Sequence, residues 1–182
     1  RVGIESANQD VLDNIVKKDT DVNYIFKMLE YCYKINLGSS AFWIIGFPGE
    51  TIENMQETID VALELYDNYN VMPLFSIATP LYGTELYHES LKNGFINKDL
   101  TDEDFAEATR MEGKHLIETS DFTPEDIRRL SADYNERFQK IRYSKKRKKK
   151  INKINMKILR FSNNPISTIK RVASRLLVFI IN

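Results

Sequence analysis

Cysteine is almost absent from this sequence: Cys32 is the only one in 182 residues. A lone thiol cannot close an internal disulfide, so the fold must be held by its apolar core, and a reducing compartment is the expectation. Nor can one cysteine build a multi-thiolate metal site; a cluster needing three thiolates would take its ligands from elsewhere. Histidine is nearly as scarce. His88 and His115 have no carboxylate or second histidine at ligand spacing, and both are expected on helix surfaces. No Ser-His-Asp set, HExxH or P-loop is present. The first twenty residues carry Glu5, Asp10, Asp13, Lys17, Lys18 and Asp19 and no continuous apolar stretch, so they do not read as a secretory signal. The apolar run "LLVFII" near the end is far short of the roughly 20 residues a membrane-spanning helix needs. A cytoplasmic chain is the expectation. It opens at "RVGIES" without a Met, which reads as a strand already under way and as a fragment or processed piece of something longer.

Acid is missing from the last quarter. Residues 1–139 hold 12 Lys and Arg against 26 Asp and Glu, a balance of −14, whereas residues 140–182 hold the other 14 basic residues and no acid. The formal net charge of zero therefore conceals an acidic body and a basic tail.

What is present is a regular alternation of short apolar runs and amphipathic segments. "RVGIES" is a β-type run, and "VLDNIVKK" after it suits a short helix. Residues 21–37 place Tyr24, Ile25, Met28, Leu29, Cys32, Tyr33 and Leu37 at helical intervals, with Gly38 as the expected C-terminal glycine. "SAFWIIGF" reads as a buried strand, followed by a helix capped by Thr51 with Met55, Ile59, Ala62, Leu63, Tyr66 and Tyr69 on one face. "VMPLFSIATP" is a third strand, and "YGTELYHESLKNG" a short helix closed by Gly94. "FTPEDIRRL" is a strong helix start, with Thr123 at the cap, Pro124 first inside and acids in the first turn; Ile127, Leu130, Tyr134, Phe138 and Ile141 continue its apolar face. Strands alternating with helices of this length predict βαβ units and a parallel sheet. In such sheets ligands collect beyond the carboxyl ends of the strands, which selects Glu5 and Ser6, the Gly46–Glu50 turn, and Ala78, Thr79 and Pro80.

"GIESANQDVLDNIVKK", then "INLGSSAFWIIGFPGET", then "FSIATPLYGTELY" resemble, in this order, the second half of a radical S-adenosylmethionine (SAM) core domain. The likeness is to the branch whose members often carry an N-terminal cobalamin-binding domain, and it covers residues 1 to about 95, roughly half the chain. The resemblance implies an α/β fold, the C-terminal part of a partial (βα)6 TIM-like barrel over residues 1–95; the sequence pattern itself adds an appended helical region over 96–142 and a basic, amphipathic tail over 143–182. The resemblance also implies a 4Fe-4S cluster bound by a CxxxCxxC loop that this chain lacks, and hence a chain inactive by itself. The complete protein would cleave SAM reductively to a radical, with electrons from a reductant such as flavodoxin or ferredoxin. Cobalamin-linked relatives often transfer methyl groups.

The same resemblance assigns residues. Glu5 would accept hydrogen bonds from the SAM ribose hydroxyls and Ser6 would reach the methionyl carboxylate; the alternative is a solvated strand end and a turn cap. Lys17 would reach the SAM carboxylate, with Lys18 able to substitute, or else it is a solvated helix-end lysine. Ile44 and Gly46 would flank the adenine, while Pro48 and Gly49 are explained by turn geometry alone. Ala78 and Thr79 would offer backbone groups to the adenine edge.

The tail admits several partners. "SKKRKKKINK" beside "TIKRVASRLLVFIIN" suits an anionic membrane surface or a protein surface better than nucleic acid, and a solvated tail is the plain alternative. Two other functional classes stay open: a radical SAM tRNA-modifying enzyme of the methylthiotransferase kind, using the lysines for RNA, and a non-catalytic α/β partner module.

Overall fold

The computed structural model describes residues 1–108 and 113–163, with side chains as far as residue 156. Among them three strands, β1 (Val2–Glu5), β2 (Ser40–Ile45) and β3 (Met72–Ile77), form one parallel sheet in chain order. Six helices accompany it: a π-helical turn over Val11–Val16, then α1 (Val22–Lys34), α2 (Ile52–Tyr69), α3 (Glu85–Asn93), α4 (Asp102–Ala108) and α5 (Pro124–Asn163). This is an α/β fold, and the described sheet has three strands. Contacts divide the chain into a unit over residues 1–138 and a second unit from Gln139 onward.

Each connection has a local cause. Asp21 caps α1 by accepting from the Asn23 and Tyr24 amides. Thr51 and Asn54 cap α2 reciprocally: the Thr51 hydroxyl accepts from the Asn54 amide, and the Asn54 side chain accepts from the Thr51 amide at 3.0 Å. Thr123 and Asp126 repeat that exchange at the start of α5. α3 closes at Gly94, in the left-handed region.

Alternation along β2 decides the layers. Ala41, Trp43 and Ile45 are buried and face the helices, where Trp43 stacks on Phe75, and Ile25 and Leu29 of α1 meet Ala62 and Leu65 of α2. Tyr134 of α5 packs on Phe75 from the same side. The other face carries Ser40, Phe42 and Ile44, paired in register with Met72, Leu74 and Ser76; Phe42 and Met72 are exposed there.

Three expectations need correction. The α1 terminus does not use Gly38. Asn36 takes the left-handed conformation (φ 57), so that Asn36 and Leu37 donate to the Tyr33 and Cys32 carbonyls and stop the helix two residues earlier. Asparagine tolerates that region, and the bonds satisfy carbonyls a helix end would otherwise leave open. Second, the buried stripe of α1 is Val22, Ile25 and Leu29, whereas Tyr24, Met28, Tyr33 and Leu37 are exposed. An interval of three to five residues admits more than one helical face, and the sheet selects the face nearest Val22. Third, His115 lies outside any helix and is buried. The tail segment "TIKRVASRLLVFIIN" lies outside the described residues. Among those described, no helix is long and apolar enough to cross a membrane.

Candidate functional site

The carboxyl ends of the three strands lie side by side. The Ala78 amide donates to the Ile45 carbonyl at 2.9 Å, tying the end of β3 to that of β2, and Glu5 stands opposite Trp43 at the end of β1. Glu5, Ser6, Ile44, Gly46, Ala78 and Thr79 therefore occupy one edge of one sheet. Lys17 belongs to the segment that follows β1.

Glu5 sits where the β1–β2 register shifts, and its φ of 71° is left-handed, an uncommon and costly state for a residue with a side chain. Its carboxylate is mostly buried. Oε1 accepts from the Lys18 ammonium at 3.0 Å, and the same ammonium donates to the Gly3 carbonyl at 2.7 Å. The fold-back needs Gly3, because a Cβ there would stand 2.6 Å from Glu5 Oε1. Among the described residues Oε2 carries no hydrogen bond, so one oxygen is anchored and the other is left for a donor.

The two lysines part company. Lys17 ends the π-helical turn in the left-handed region and reaches across to α3, where its exposed ammonium donates to Glu85 at 3.0 Å. Lys18 holds Glu5. An open cavity of about 290 Å³ lies beside them, lined by Asp13, Lys17, Lys18 and Asp19.

Ser6 is fully buried and engaged. Its hydroxyl shares a hydrogen bond with Thr58 of α2 at 3.2 Å and accepts from the Asn8 amide, while Thr58 also accepts from the Ala7 amide at 3.1 Å. Ser6 thus joins the first loop to α2, the turn-capping alternative read from the sequence. Thr58 was not singled out by sequence reasoning; a hydroxyl on the buried stripe of an otherwise apolar helix face was the available signal.

Gly46 has a φ of 88°, and a Cβ would meet Ile127 of α5 at 3.4 Å and Ile77 at 3.6 Å. The start of α5 therefore covers this turn. Ile44, half buried on the face opposite Trp43, stands opposite Ser76. Ala78 is buried, and the Thr79 hydroxyl donates to the Ile77 and Ala108 carbonyls at 3.0 and 3.1 Å, so α4 ends against Thr79.

Glu50 is the charged residue that sequence reasoning placed only in the turn. It is fully buried; Oε2 accepts from the Phe47 amide at 2.8 Å, and Oε1 has no hydrogen-bond partner among the described residues. Burial pushes its carboxyl up to about 7, against the lowering effect of the Phe47 and Gly46 amides. Buried His115 is shifted the other way, downward, by burial first and then by the Arg128 charge. No group of residues able to hold a metal ion occurs among those described, and Cys32 on α1 stands alone. A three-thiolate cluster loop does not fit this chain's own residues.

The fold is that of an α/β chain whose three described parallel strands end along one edge. No family model matches the chain. It is 31% identical over 102 residues to the cytidylyl-2-hydroxyethylphosphonate methyltransferase of Streptomyces wedmorensis, covering 53% of this chain and 18% of that protein. An uncharacterized methyltransferase of Pyrococcus horikoshii is 36% identical over 94 residues, 52% of this chain and 20% of its own length. The bacteriochlorophyllide d C-8(2)-methyltransferase of Chlorobaculum tepidum is 29% identical over 120 residues, 65% and 24% respectively. The chain thus has distant, partial homology to methyltransferases, and matches about a fifth of their length.

Proposed function

We propose that this chain supplies the SAM-holding strand ends of a radical SAM methyltransferase of the cobalamin-linked kind. The observation that carries the reading is the alignment of "GIES", "IIGFPGE" and "SIAT" along one carboxyl edge, in a chain related to methyltransferases. The sheet would be the last three strands of a partial (βα)6 barrel, with Ile44 on the face turned to its interior. The domain boundaries expected from the sequence, near residues 95 and 142, belong to the same proposal.

The donor set suits SAM. Glu5 Oε2 is free to accept from a ribose hydroxyl while Oε1 stays pinned by Lys18; a carboxylate held at one oxygen has already lost most of its rotamer entropy. Ile44 would offer an apolar surface to the adenine, and the Gly46 backbone would flank it on the side that Ile127 leaves open. Ser6, through Thr58, positions the loop after Glu5. Lys17 can leave its exposed bond to Glu85 for a ligand carboxylate, since such a pair is worth at most about 1 kcal/mol. When bound, SAM would supply the reactive sulfonium chemistry. The cluster, cobalamin and reductant would be held by residues other than those of this chain.

Calorimetry of the full-length protein with SAM tests the reading. Glu5→Gln is expected to weaken binding about tenfold or more, the cost of losing a hydrogen bond to a charged group. Unchanged affinity in a variant that still folds would remove Glu5 from the site and with it the proposal's main residue. Retained affinity in Ser6→Ala is expected, apart from a stability loss.

A further inference from the structure

The second unit carries a surface with no role in SAM binding. Residues 146–156 of α5 are all exposed, among them Lys146, Arg147, Lys148, Lys149, Lys150 and Lys153, and no acid follows Glu136 in the sequence. Four apolar side chains are exposed on this stretch: Tyr143 at 71%, Ile151 at 46%, Ile154 at 46% and Met156 at 52%. The first three, spaced by eight and three residues, fall within one sector of the helix about 80° wide at 100° per residue, and Met156 lies on the opposite side. Arg147 falls within that sector, and Lys148 and Lys150 flank it.

We infer that this stretch of α5 binds an anionic phospholipid surface, lying along it with Ile151 and Ile154 set into the boundary of headgroups and acyl chains. Charge complementarity selects the occupant: the surface is cationic with no acid to offset it. The arrangement separates lipid from nucleic acid. A phosphate backbone would engage the lysines and would gain nothing from the two isoleucines beside them. A bilayer interface takes both: the isoleucines enter it, the tyrosine ring sits at headgroup level, and the flanking lysines lay their aliphatic stems on the apolar boundary while their ammonium groups reach the phosphates. A basic surface of this kind needs no membrane-spanning segment.

Sedimentation of the full chain with vesicles tests the inference, comparing phosphatidylcholine alone with phosphatidylcholine containing one third phosphatidylglycerol at about 0.1 M salt, where charges act over about 10 Å. Binding is expected to the anionic vesicles and not to the neutral ones. Replacing Arg147, Lys148 and Lys150 together by Gln should weaken it by about a hundredfold, at about fivefold per charge. Ile151→Gln with Ile154→Gln keeps every charge and good helix formers, and should weaken binding at least tenfold. Circular dichroism showing undiminished helix confirms that each variant keeps its fold. Absence of binding to anionic vesicles overturns the inference. So does wild-type vesicle binding by the isoleucine variant, or displacement from vesicles by a short oligouridylate at equimolar charge, which would assign the surface to nucleic acid.

Discussion

Replacing Glu50 by glutamine should reverse sign in its effect on stability between acid and neutral pH. Glu50 has no access to solvent; one carboxylate oxygen accepts from the Phe47 amide at 2.8 Å and the other has no partner among the described residues. Its pKa in the folded state is about 7 against an ordinary 4.5, with burial the leading cause. Below 4.5 the carboxyl is protonated in both folded and unfolded chains and contributes no pH dependence. Between 4.5 and 7 the folded chain binds the additional proton, so unfolding releases it and stability falls as pH rises. Above 7 the carboxylate is ionised in both states and the loss is complete, about 3 kcal/mol at 1.36 kcal/mol per unit of pKa difference. Glutamine keeps the shape and an acceptor for the Phe47 amide but cannot ionise; its added N–H donors stand unpaired, costing about 1–3 kcal/mol at every pH. Urea unfolding of wild type and Glu50→Gln at pH 5, 6, 7 and 8 isolates the effect, because all other titrations cancel in the difference. The difference should shift by about 2.5 kcal/mol in favour of glutamine from pH 5 to 8, taking the variant from less stable to equal or more stable. Parallel profiles, differing by less than about 0.5 kcal/mol across that range, would refute the buried, partly unsatisfied carboxylate.

Thr58→Val removes a hydroxyl that serves the buried Ala7 amide and the Ser6 hydroxyl, and should cost about 1–3 kcal/mol in thermal unfolding, with strong coupling to Ser6→Ala in a double-mutant cycle. Lys18→Met should destabilise by about 1–2 kcal/mol, since it strips the Glu5 carboxylate and the Gly3 carbonyl of a shared donor, whereas Lys17→Met should fall within about 0.5 kcal/mol of wild type; chemical denaturation of the two variants makes the comparison.

The elements that could be read from the sequence are those whose signals are local. Strand β2 announces itself as an apolar run too short for a helix, and α2 and α5 by a capping threonine three residues ahead of its reciprocal partner. The ordering of Glu5, Gly46 and Ala78 along one edge followed from parallel topology once the strands were placed. Less was legible where the outcome depends on packing. Nothing local distinguishes Asn36 from Gly38 as the residue that turns left-handed, or the Ile25 face of α1 from the Tyr24 face. Lys17 and Lys18 are adjacent and chemically identical; only the reach of each from the end of the π-helical turn sends one to Glu85 and the other to Glu5. The burial of Glu50 was likewise invisible, because an acid at the start of a helix is ordinarily solvated there.

The register of the sheet bears on the order in which it assembles. Pairing Val2 with Ala41 and pairing Ser40 with Met72 close loops of similar length, so their entropic costs differ by only about 0.2 kcal/mol. Neither ladder has a head start from the chain. The gain on closing is unequal: β2 and β3 match over six consecutive residues, whereas β1 and β2 match at three positions broken by a shift between Gly3 and Glu5. Among the described strands the β2–β3 pair is accordingly expected to form ahead of the β1–β2 pair, and the strand bearing Glu5 to be held less firmly to β2 than β3 is.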